Sequence, residues 1–174
     1  SSDVCSSDLD FSKISDFKRR QAYFFLAESF WFTHDLVMAN IYFEELLPLA
    51  LDGEKANVLD RILLIANSLG EQEKIKEYLT LAQKNHYNFS ANTQYVAGKY
   101  YFHEKKYGLA KSMLNKIQQA EKYKFKASYI LAAIAVVQNN YALAQRLFEE
   151  VRGAASNNRL RDLANLSDRK STRL

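Results

Sequence analysis

Four small or β-branched residues, Ala39, Ile75, Ala110 and Ala144, each stand four positions before a bulky apolar one, Phe43, Leu79, Leu114 and Phe148. They follow one another at steps of 36, 35 and 34 residues. A period of this size is the signature of helical hairpins stacked as a repeat array, each hairpin burying its apolar face on its neighbours. The chain is therefore expected to be all-α. Glycine and proline are scarce, 5 and 1 in 174 residues, as long helices require. The single proline, Pro48, falls near a predicted helix end.

Apolar residues recur at three- and four-residue steps along the whole chain. Tyr23, Leu26, Ala27, Phe30 and Trp31 mark a helix over 20–32, and Thr33-His34-Asp35 provides a break whose side chains can cap the next helix. That second helix carries Met38, Ala39, Tyr42, Phe43, Leu46 and Leu47. A second hairpin runs from about Glu54 to Leu69, turns at Gly70 and returns through Ile75, Tyr78, Leu79 and Ala82. Ser90 suits the N-cap of a third, in which Ala97, Gly98 and Tyr101 face Ala110, Met113, Leu114 and Ile117 across the turn at 104–107. The fourth places Leu131, Ala132 and Ala135 before Gln138-Asn139-Asn140, then Tyr141, Ala144, Leu147, Phe148 and Val151. The repeats fall at about 20–52, 54–88, 90–122 and 124–155, with a partial fifth over 157–167 marked by Leu160, Leu163 and Leu166. An unfinished repeat exposes the face its successor would cover, so self-association through that C-terminal edge is expected.

The termini read differently. Asp3-Val4-Cys5-Ser6-Ser7-Asp8 can be encoded by DNA whose reverse complement reads Asp168-Arg169-Lys170-Ser171-Thr172-Arg173 and opens a Leu codon. Both ends resemble translated sequencing-adapter DNA, so 1–9 and 168–174 are expected to be artefactual tails around a gene fragment from shotgun, metagenomic reads, with 10–167 the native repeat domain. Cys5, the only cysteine, then drops out of the argument, and thiol chemistry with it. A native N-terminus missing in this way leaves bacterial cytoplasm and periplasm both open.

The net charge of +4 is spread along the chain, with Lys and Arg alternating with Glu and Asp, so a nucleic-acid partner is not expected. The longest apolar stretch, 129–137, has about nine residues against the roughly twenty that span a membrane. His34, His86 and His103 are far apart and form no His-x-x-x-His pair, and the five glycines form no phosphate-cradling loop. Glu44-Glu45 and Glu149-Glu150 are helix neighbours that point about 100° apart. No metal, cofactor or catalytic constellation is implied, and the segment is expected not to be an enzyme.

The segments 95–117 and 129–151 resemble tetratricopeptide repeats, whose hairpins carry small residues where their helices cross. The matching small residues are Ala27 and Ala39, Gly98 and Ala110, and Ala132 and Ala144, with Phe43, Leu114 and Phe148 as the bulky partners. The second hairpin departs from the pattern with Leu63 and Ile75, and the customary inter-repeat proline is missing. Pentatricopeptide repeats share the period, but no recurring polar pair of the kind that reads RNA is present. A non-repeating helical bundle is the plainer alternative.

The resemblance implies a right-handed α-solenoid of about four repeats plus the truncated fifth, with the first helix of each hairpin lining a concave groove. The groove positions are then Phe24, Glu28, Trp31 and Phe32; Asp60, Leu64 and Asn67; Tyr95, Lys99, Phe102 and His103; and Tyr129, Ala133 and Val136. Trp31 and Tyr95 lead this set, because aromatic anchors dominate recognition surfaces. The expected function is a protein–protein interaction scaffold binding a partner protein or peptide in the groove. The competing reading is a regulatory or substrate-recruiting region of a larger enzyme.

Overall fold

The computed structural model describes residues 15–154, and every regular element among them is helical. The predicted tails, Cys5 and the partial helix from Asn157 lie outside the described residues, so the expected C-terminal edge does too. The chain divides between Leu69 and Gly70 into two compact units. That division falls inside the second predicted repeat.

The first unit contains α1 (Asp16–Phe32), α2 (Leu36–Leu46), a short 3-10 helix (Leu47–Leu49) and α3 (Asp52–Leu69). Helix α1 packs on α2 and α2 on α3. Asp35 caps α2, its carboxylate accepting the Met38 N–H at 3.1 Å. Pro48 sits in the 3-10 turn that ends the α2 segment, where a missing N–H costs little. The core is built from Ala27, Ala39, Phe43, Leu46, Leu59, Ile62, Leu63 and Ile65, all essentially inaccessible.

The second unit contains α4 (Gln72–Lys84), α5 (Ala91–His103), α6 (Tyr107–Asn115), α7 (Lys124–Val137) and α8 (Tyr141–Ala154). Helix α5 packs on α6 and α7 on α8, with α4 against α5 and α7 against both α5 and α6. Ser90 caps α5 by accepting from the Thr93 N–H at 3.1 Å, and Asn140 caps α8 by accepting from the Leu143 N–H at 3.2 Å. Helix α6 is short, and Ile117, expected to continue the hairpin, lies beyond its end in a run of turns while remaining buried.

The sequence period has a backbone counterpart. His34, Gly70, Lys105 and Asn139 all adopt left-handed φ values, 61°, 77°, 58° and 59°, and they too are 36, 35 and 34 residues apart. One residue later, the carbonyls of Asp35, Glu71, Lys106 and Asn140 accept the N–H groups of Ala39, Ile75, Ala110 and Ala144. At three of the four turns a second bond closes the preceding helix, from Asp35 to Phe30, Lys106 to Tyr101 and Asn140 to Ala135. This is the left-handed C-terminal closure that satisfies the last carbonyls of a helix. Gly70 takes the left-handed φ without steric penalty and Asn139 tolerates it, whereas at His34 and Lys105 the side chain is held there at a cost of about 1–2 kcal/mol.

The small residues are buried. Ala27 and Ala39, and Ala132 and Ala144, are fully buried. At Gly98 an added Cβ would lie 2.6 Å from Leu114 Cγ, so the α5–α6 crossing has no room for even a methyl group. At the exceptional second repeat Leu63 and Ile75 are nonetheless buried like their counterparts.

Candidate recognition surface

The first helix of each predicted hairpin carries the sequence-nominated residues, and all of them retain solvent exposure while the crossing residues on the same helices do not. The helical period produces this split: Ala27 and the nominated Phe24, Glu28, Trp31 and Phe32 are on one helix, but only Ala27 turns fully inward.

On α1, Phe24 is 47% and Phe32 78% exposed, with Phe25 at 66% beside them. Trp31 and Glu28 are half-buried because α3 brings Arg61 to both. Its guanidinium lies 5.0 Å from the centre of the Trp31 ring, and its Nε is 3.5 Å from Glu28 Oε1. A cation over an indole face with a carboxylate alongside holds the ring in place while leaving part of it open. A second pair, Arg20 to Glu54 at 3.8 Å, also joins α1 to α3. Asp60, Leu64 and Asn67 are half-buried on α3.

In the second unit, Tyr95 of α5 stacks on Tyr123 with ring centres 4.8 Å apart and planes 19° from parallel. The Tyr123 hydroxyl donates to Asn92 Oδ1 at 2.5 Å, and Lys122 Nζ donates to the same oxygen at 3.1 Å. Lys126 Nζ lies 6.0 Å from the centre of the Tyr95 ring. Burial raises the Tyr95 phenol above its ordinary value of 10.0, with the neighbouring Tyr123 adding to the shift. Phe102 contacts both His103 and Tyr107, at ring separations of 5.7 and 6.2 Å. Tyr129 meets Phe148 edge to face within its own hairpin, at 5.7 Å. Lys99, Ala133 and Val136 are half-buried and His103 is exposed.

The structure thus gathers Glu28 and Trp31 around Arg61, and Tyr95 around Tyr123. Arg61, Asn92, Tyr123 and Lys126 were not among the nominated residues. The alternation Lys122-Tyr123-Lys124-Phe125-Lys126 was the available signal for the last group. His34 and His86 are exposed at left-handed turn positions. Among the described residues no group of three or more His, Cys, Asp or Glu is placed to hold a metal ion, and no helix is long and apolar enough to cross a membrane. Chemically the surface offers aromatic and aliphatic contact with isolated charges.

Comparisons with protein-family models, with curated proteins and with solved structures each find no match.

Proposed function

We infer that the chain is a non-catalytic interaction scaffold, a right-handed solenoid of tetratricopeptide-like repeats that binds a partner protein or peptide along its first helices. The observation that carries this reading is the coincidence of two periods. The left-handed turns recur at the same 36-, 35- and 34-residue steps as the small-residue sites, a coincidence that supports one helix-turn-helix unit repeated along the chain. Repeated units of this kind present extended surfaces for macromolecular contact. Further support comes from the composition of the first-helix faces, where aromatics such as Phe24, Phe32 and Phe102 sit among single charges.

Selection of a random-peptide library on the purified protein tests it. Selected peptides should lose at least about tenfold in affinity on Phe24→Ala/Phe32→Ala, equivalent to about 1.4 kcal/mol, with helicity unchanged because both rings are exposed. The matched control is Val37→Ala/Ile41→Ala on α2, also exposed, which should bind normally. Equal loss on both variants, or no selectable peptide, would overturn the reading.

A further inference from the structure

A second surface feature is framed by α6 and α8, with residues of α7 beneath it that the recognition surface does not use. Short α6 and the start of α8 leave a cleft of about 260 Å³ over α7. Its floor is apolar, formed by Leu131 and Leu147, each 6% exposed, with Ala135. Its rim carries two cations, Lys111 of α6 and Arg146 of α8, together with the amides of Gln118 and Gln138. No carboxylate is among the lining residues.

The charge pattern sets this cleft apart. Arg20, Arg61 and Lys124 each find a carboxylate on another helix. Lys111 instead donates to the amide oxygen of Gln138 at 3.1 Å, and neither it nor Arg146 makes an ion pair among the described residues. Two cations of one sign around a low-dielectric floor focus a positive potential into the opening, which an anion relieves. The amide groups add donors that suit carboxylate oxygens. The volume falls below the roughly 300–1,000 Å³ of drug-sized sites, so the occupant is small. The apolar floor asks for carbon as well as charge.

We propose that the cleft between α6 and α8 binds a small organic anion, one or two carboxylates on a short aliphatic body. The carboxylates pair with Lys111 and Arg146 while the aliphatic portion covers Leu131 and Leu147. The site is independent of the scaffold reading, since it uses none of the residues assigned to partner contact.

Titration of the full chain with adipate, followed by amide chemical shifts, tests it. Saturable shifts should cluster at residues 111, 131, 138 and 146. The Lys111→Gln/Arg146→Gln variant should bind adipate at least about tenfold more weakly, the loss expected for charge-assisted hydrogen bonds, with its remaining spectrum unchanged. Inorganic phosphate and 1,6-hexanediol, which supply charge without carbon and carbon without charge, should each bind more weakly than adipate. The proposal is overturned if adipate gives no saturable shifts or binds the variant as tightly as the parent. It is also overturned if either comparison probe matches adipate.

Discussion

The two units join alternate helices, α1 to α3 and α5 to α7, by different chemistry. In the first, α1 meets α3 through Arg20–Glu54, Arg61–Glu28 and the Arg61 guanidinium over Trp31, all with partly exposed side chains. In the second, the α5–α7 joint is an aromatic stack, Tyr95 on buried Tyr123, locked by a hydroxyl-to-amide hydrogen bond. Exposed ion pairs are worth little and are screened by salt. A buried ring contributes through area and dispersion, which salt does not screen. The helical layout therefore specifies that two helices meet, and the residues at the joint decide how strongly and under what conditions.

The largest expected effect is at Tyr123. Tyr123→Ala removes the buried ring and its hydrogen bond to Asn92, and should cost about 3–5 kcal/mol by urea unfolding, in the range for aromatic truncation. A cost near zero would remove the asymmetry between the joints. Next comes the α5–α6 crossing, where Gly98→Ala drives a Cβ into Leu114. The overpacking should cost about 1–3 kcal/mol despite alanine's better helix propensity. Combining it with Leu114→Ala should cost less than the two single changes together, since the truncated side chain vacates the contested space. Additivity would show that the crossing is looser than its geometry.

The aromatic joint should also respond to pH. Burial favours the neutral Tyr95 phenol, so the folded state holds its proton at a pH where the unfolded chain releases it. Its stabilising contribution is complete below about pH 10 and declines as pH rises past that value towards the raised folded pKa. Subtracting the Tyr95→Phe curve from that of the parent isolates this group, and the difference should shift in favour of the variant through that window. A constant difference would place the phenol in water. The smallest effect belongs to the ionic joint. Arg61→Gln should cost less than about 1 kcal/mol at low salt and almost nothing near 1 M NaCl, whereas the Tyr123→Ala cost should persist at both ionic strengths. An equal salt response would collapse the comparison.

Much of the fold was legible because turns are local. Gly70, the Asp35 and Ser90 caps and the breaks at 104–107 and 138–140 depend on a few neighbouring residues whose conformational preferences are visible in sequence. Three of the four predicted crossings were legible because small residues mark them, with Gly98, where an added Cβ would meet Leu114, the clearest case. The candidate surface was legible only as positions. Helical period places Trp31 and Tyr95 on a face, but it does not say that Arg61 arrives from α3 to cover one or that Tyr123 stacks on the other. Those contacts depend on the relative rotation of helices that are distant in sequence. Hence Trp31 and Tyr95, the leading nominations, are both partly covered, while Phe32 and Phe25 are the most open aromatics of α1. Replacing Tyr95 with alanine would disturb a joint as well as a surface, which makes Phe24 and Phe32 the cleaner probes of binding.

Amide hydrogen exchange with and without a selected peptide tests the central claim most directly. The scaffold account predicts that the peptide slows exchange along α1, α3, α5 and α7, leaving α2, α4, α6 and α8 at their free rates. Protection confined to α2, α4, α6 and α8, or no change in any helix, would contradict it.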